Sequence, residues 1–272
     1  MPFRRDLRIP LGRRAWLGRT LWACGFVVVV PTMVAAQEPT VNQRALAFFA
    51  ALPAGDVAAA LGARRPSPIS LDERNRAIAS LPRDGGLRPS ADENVKLSRL
   101  TPILLFHHRT FVVVKVIDVA QAFVGLHARS VLLISRRALQ LLSSAELQAI
   151  VAHEMGHDYF WEEYQRANER HDTRLSSEVE LKCDGLAALT LIELGLSPRD
   201  LINAARKLTR FNEKLGAAAN ADAYPSPSER ERFVLTVLAL RPRSPSRSVP
   251  RPTSNPSAPG PPRAIFRRAV PA

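Results

Sequence analysis

The chain has 272 residues and a formal net charge of +13. Residues 1–36 account for +5 of that charge and residues 241–272 for +7, so the stretch between them stands near +1 and gives no reason to invoke nucleic acid. Of the two cysteines, Cys24 falls in the amino-terminal leader; without it Cys183 stands alone, which excludes a fold stapled by internal disulfides.

The leader sets the expected location. Arg4, Arg5, Arg8, Arg13, Arg14 and Arg19 stand against Asp6 alone, and an almost wholly apolar run follows over residues 21–36. That order reads as a secretory signal peptide, with Val34-Ala35-Ala36 supplying small residues for cleavage before Gln37. Residues 12–17 weakly resemble a twin-arginine signal, and ordinary secretory export fits at least as well. The predicted location is therefore periplasmic or extracellular. The alternative is an uncleaved anchor in the inner membrane, but Pro31 interrupts an apolar run already short of the roughly 20 residues of a comfortable span. Cys24 precedes most of that run, which argues against a lipoprotein. No other stretch is long and apolar enough to cross a bilayer.

Residues 37–97 form an amino-terminal helical region. Ala, Leu and Phe recur at helical spacing over residues 41–61, predicting one or two helices, and residues 72–81 predict a short one. Pro82, Gly85-Gly86 and Pro89 break the chain around it. This region either covers a cleft or completes the core. Beyond it, residues 111–117 and 130–135 are β-branched runs that suit strands of a small sheet. Residues 131–135 are the candidate edge strand, able to hold an extended peptide by main-chain pairing; a wholly internal place in the sheet is the other possibility. His107 and His108 are expected at the entrance to the first strand, facing opposite ways, and His127 in a turn.

Ser143-Ser144-Ala145-Glu146 forms a capping box, and Leu147, Ile150, Val151 and Met155 then give helical apolar spacing to a half-buried helix. That helix carries His153-Glu154-Met155-Gly156-His157. Residues i and i+4 share a helix face, so both imidazoles can reach one zinc ion, with Glu154 beside them as general base for a water molecule. A second apolar-rich helix carries Glu180 and Asp184, again four residues apart. Glu180 is the candidate third ligand, leaving the fourth position for water or substrate, and Asp184 the acceptor that orients a ligand histidine. His171, in the charged connection 166–174, competes with Glu180 but lacks a helical frame. Cys183 is read as a buried thiol, with an inhibitory thiolate ligand as the alternative.

Taken together, Ala120-Gln121-Ala122-Phe123, residues 132–135, Ala145-Glu146-Leu147, the His153 to His157 motif, Glu180 with Asp184, and Gly195-Leu196-Ser197-Pro198 resemble one group of gluzincins. It includes the heat-shock protease HtpX, the CAAX prenyl endopeptidase and soluble periplasmic relatives. The resemblance covers roughly residues 98–240. It implies a zinc-dependent endopeptidase, with His153, His157 and Glu180 as ligands and Glu154 as base. Many members carry His-Pro and then Arg near the metal; here Tyr224-Pro225 and Arg230 take those places. Tyr224 is either a hydrogen-bond donor to the oxyanion of the reaction or an inert turn residue. Arg230 is either a structural anchor or a surface charge.

The predicted fold class is α+β: a mainly helical zincin-like metallopeptidase domain, residues 98–240, with a small sheet next to the active-site helix. Residues 241–272, rich in Pro, Ser and Arg, are expected to be a disordered tail. The tail either remains solvated or touches an anionic membrane surface. Expected partners are Zn2+ and protein or peptide substrates. A module of this fold that binds unfolded envelope proteins without cutting them is the competing function.

Overall fold

The sequence builds eleven helices and three short strands among the residues described by the computed structural model, which are 38–53, 56–81, 86–216 and 224–240. The leader with its Val34-Ala35-Ala36 segment and the Arg-rich tail lie outside the described residues. The amino-terminal part gives α1 (Val41–Ala50), α2 (Val57–Ala63), α3 (Leu71–Ala79), α4 (Ala91–Ser98) and α5 (Thr101–Phe106). Then come β1 (Val113–Ile117), β2 (Val124–His127), β3 (Val131–Ser135) and α6 (Arg136–Leu141). The rest is helical: α7 (Ser144–Tyr159), α8 (Trp161–Arg170), α9 (Thr173–Glu193), α10 (Arg199–Lys214) and α11 (Pro227–Leu240). No helix among the described residues is long and apolar enough to cross a membrane. The mainly helical chain with one small sheet is the α+β class that the sequence predicts.

The sheet has the order β1-β3-β2, with β1 parallel and β2 antiparallel to β3. The candidate edge strand is thus the central one. Val131, Leu132 and Ile134 are all fully buried, because β3 is covered on both faces as well as paired on both sides. β2, which the sequence reading leaves out, is the strand beside α7. Ser135 donates its N–H to Phe123 O at 2.8 Å; with the register of β2 and β3, this turns the main chain of Gly125 inward and that of Val124 and Leu126 toward the outer edge. His127 ends this strand and opens the turn that follows it, and its Nε2 lies 3.0 Å from Ser80 Oγ. On the opposite edge, Leu87 donates its N–H to Val116 O at 2.8 Å.

Helix α7 starts where the sequence predicts. Ser143 caps it, with Ser143 Oγ accepting from Glu146 N at 3.2 Å and Glu146 Oε2 accepting from Ser143 N at 2.8 Å. The helix is more deeply set than half-buried, since every residue from Glu146 to Asp158 is buried. One side meets the sheet, α9 and α10 through Leu147, Ile150, Val151 and Met155. Its crossing with α9 is so close that a Cβ on Gly156 would sit 2.8 Å from Cys183 Cα. Only glycine admits that approach.

The amino-terminal region completes the core. Ala45 and Phe49 of α1 join Leu181, Leu186, Phe233 and Val237 in a second apolar cluster, and the Phe49 ring fills the place that a Cβ on Gly185 would take. A fully buried side chain of this size contributes about 1.5–3 kcal/mol, so α1 is part of what holds α9 in place. The 166–174 stretch differs from expectation as well. It is mostly α8, whose Trp161, Tyr164 and Ala167 face inward at helical spacing, and exposed His171 is its left-handed C-cap.

Candidate metal centre

Two crossed helices converge on one point. His153 and His157 stand on successive turns of α7, their ring centroids 5.1 Å apart, and α9 presents Glu180 to both. Glu180 Oε2 lies 3.3 Å from His153 Nε2, and Glu180 Oε1 lies 3.5 Å from His157 Nε2. Ligands about 2.0–2.1 Å from a tetrahedral zinc stand roughly 3.3 Å apart, so this donor spacing fits such an ion. His153, Glu154 and His157 also hold a set of donor atoms within 4.8 Å of one another. Of the two carboxylates, Glu154 is turned to the sheet, accepting the Leu126 N–H at 3.0 Å. Glu180 is the one that faces both ring nitrogens, and the better third ligand.

The supports are in place behind these groups. Asp184, one turn after Glu180, lies 2.9 Å from His153 Nδ1, which leaves Nε2 for a metal. Arg230 of α11 grips the same carboxylate twice, Nε to Oδ2 at 2.7 Å and Nη2 to Oδ1 at 2.5 Å. It is the structural anchor, not a surface charge. The Nδ1 of His157 is a buried nitrogen without a hydrogen-bond partner among the described residues, and its ring packs edge-on to Tyr164 at 5.1 Å. Cys183 is fully buried, and burial together with the Glu180 and Asp184 charges pushes its thiol well up, against a thiolate ligand. His107, at the end of α5 and away from this point, is fully buried between Tyr159 Oη and Thr190 Oγ1, so its expected place at a strand entrance does not hold.

Electrostatics divide the site. Burial pushes Glu154 up to about 7, with the Glu180 charge adding to it and the Leu126 N–H opposing it. For Glu180, burial acts in the same direction but is outweighed by His157, His153 and Arg230, which hold it below the usual carboxylate range. Asp184 is likewise held down, despite burial, by Arg230 and His153. Burial takes His157 down to about 4, whereas for His153 the Asp184 and Glu180 carboxylates overcome burial and lift it to about 10. Two carboxylates close together thus have opposed tendencies: one poised to exchange a proton near neutrality, the other held charged.

These residues open into a cleft of about 380 Å³ with a mostly apolar lining. Phe123, Val124 and Leu126 form one side, Trp161 and Tyr164 of α8 another, and Ala205 and Leu208 of α10 a third. Tyr224, half exposed, stands at the rim beside Arg230, and burial with the Glu180 charge pushes its hydroxyl up to about 12. Asn212 of α10 fixes the approach to β2, accepting from Ala122 N at 2.9 Å and donating to Ala122 O at 3.0 Å. Trp161 and Tyr164 belong to no motif, and the one sequence signal for them is their spacing of three residues, followed by Ala167, which is helical.

The family model of Peptidase family M48 matches residues 95–162, from α4 into α8, and so takes in the sheet, His153, Glu154 and His157. The matched region belongs to the M48 gluzincin metallopeptidases. No curated protein sequence matches the chain. Glu180, Asp184, Tyr224 and Arg230 lie beyond the matched part, and geometry alone brings them to the M48 motif. The M48 match supports a metallopeptidase function, and the matched region carries the cluster of His153, Glu154 and His157.

Proposed function

We propose that the chain is a zinc-dependent endopeptidase, exported from the cytoplasm, that cleaves unfolded or misassembled envelope proteins. The observation that carries the zinc reading is the approach of one Glu180 carboxylate to the Nε2 atoms of both His153 and His157. His153, His157 and Glu180 would hold the ion, which when bound polarises a peptide carbonyl and acidifies water. Glu154, near neutrality in its buried place, takes the proton from water and passes it to the leaving nitrogen. Leu126 keeps one Glu154 oxygen engaged and thereby aims the other. Asp184, itself held by Arg230, fixes the His153 ring. Tyr224 at the rim donates to the oxyanion formed as water attacks.

Breadth of substrate follows from β2. The outward main-chain groups of Val124 and the Leu126 carbonyl can pair with any extended segment, the Leu126 N–H being held by Glu154, and the apolar cleft beside them asks for little more than a hydrophobic side chain. Folded proteins offer few such segments, which favours unfolded ones. The basic leader with Val34-Ala35-Ala36 supports export, and the Arg-rich tail supports contact with anionic lipid headgroups; nucleic acid has no part.

The test is Glu154→Gln in zinc-loaded protein, with casein as substrate. Zinc content should match the wild type while turnover falls by about 10²- to 10⁴-fold. Undiminished cleavage would sink the assignment; zinc without turnover in the wild type would point to a binding module. Mass analysis of protein produced with its leader should find Gln37 at the mature terminus.

A further inference from the structure

Beyond the ligands, one buried carboxylate is unexplained by the reaction. Asp158 follows His157 directly, has a side chain only 1% exposed, and is held by two guanidinium groups. Arg109 bonds Oδ2, and Arg129 Nε bonds Oδ1 at 2.5 Å. Asp158 lies four residues after Glu154 on α7, so both carboxylates face the same way, toward β2 and the turn that follows it. Glu154 accepts from Leu126 N–H within the strand, and Asp158 from Arg129 in the turn.

That turn is a poor one by its own chemistry. Ser130 N–H closes it on His127 O at 3.0 Å, and both residues between, Ala128 and Arg129, have positive φ, 44° and 58°. Asn and Gly suit such positions, whereas Ala and Arg do not. Something outside the turn must hold it, and Arg129 does so twice, through Asp158 and through Nη2 to Ser67 O at 2.8 Å.

We infer that Asp158 and Arg129 form a clamp that sets the height of β2 against α7 and so keeps the Leu126 N–H on Glu154. Both are positioning residues, acting through the strand and not on the substrate. The clamp's role in catalysis rests on the proposed base function of Glu154; its hold on the strand does not.

The discriminating variant is Arg129→Gly in the full chain, because glycine suits the left-handed turn while removing the ion pair. Hydrogen exchange at the Leu126 amide should quicken about tenfold or more, at unchanged or raised thermal stability and unchanged zinc content. Peptide turnover should fall about tenfold. Arg129→Lys should restore most of both, and Asp158→Asn should repeat the exchange result. Unaltered Leu126 exchange in Arg129→Gly and Asp158→Asn would overturn the clamp. Quickened exchange with full turnover would overturn its catalytic role. A wild-type protein that cuts nothing would instead defeat the peptidase reading, while the exchange data would still decide whether the clamp exists.

Discussion

At the candidate metal centre each group is defined by its neighbour. Asp184 is the hub, since it holds His153 and is held by Arg230, and it is fully buried. Replacing a carboxylate behind a ligand histidine typically costs 10- to 100-fold in metal affinity. Asp184→Asn should therefore weaken zinc binding by about that factor, measured by competition with a chromogenic chelator; Glu180→Gln, which removes a ligand, should weaken it further. Equal affinities for Asp184→Asn and wild type would show that Arg230 can orient the site without it. How much of this was legible follows from range along the chain. His153 with His157, and Glu180 with Asp184, are pairs within a single helix, where a fixed 3.6-residue period turns sequence spacing into geometry. The approach of Glu180 to the histidines depends on how two helices cross, and the Asp158 clamp on a hairpin tip 29 residues away. No local period reports those.

Between elements, the α7–α9 crossing decides whether the ligands meet. In an exposed helix Gly→Ala gains about 1 kcal/mol. At Gly156 the new methyl would meet Cys183 Cα at 2.8 Å, a backbone atom that cannot rotate away, and overpacking costs typically 1–3 kcal/mol. Gly156→Ala should thus be less stable, by about 1 kcal/mol or more in urea unfolding, and should bind zinc more weakly because the helices are spread beside His157. A stabilised variant would mean that the crossing relaxes freely. The same scale shows where strand prediction failed. Residues 131–134 are uniformly apolar, and such a run does not tell a central strand from an edge one. Residues 124–127 escape notice because Gly125 has a weak strand tendency, and the Phe123 ring covers that glycine only in the folded structure. Helix starts were the easier part: Ser143 and Glu146 announce α7 by chemistry contained in four residues.

For the molecule as a whole, acid acts on buried neutral groups, and His107 supplies one away from the candidate metal centre. Burial first, and then the Arg109 charge, lower it to about 3. The unfolded chain, near 6.5, binds the extra proton earlier. Stability from neutral His107 is therefore complete above pH 6.5 and is lost as pH falls from there toward 3, at up to about 1.4 kcal/mol per pH unit. In zinc-free protein, the stability gap between wild type and His107→Gln, measured by urea unfolding, should narrow between pH 7 and pH 5; a constant gap would remove His107 from the acid response. The arrangement of the proposed ligands along the chain also bears on the order of folding. His153, His157 and Glu180 all come from α7 and α9, joined only by α8. The hold of α1 on α9, by contrast, spans 134 residues from Arg44 to Glu178. Closing the short loop costs less chain entropy than closing the long one. An ion present during folding would therefore meet an assembled helical hairpin before the amino-terminal helix docks, and α1 would act as a late latch on a centre already formed.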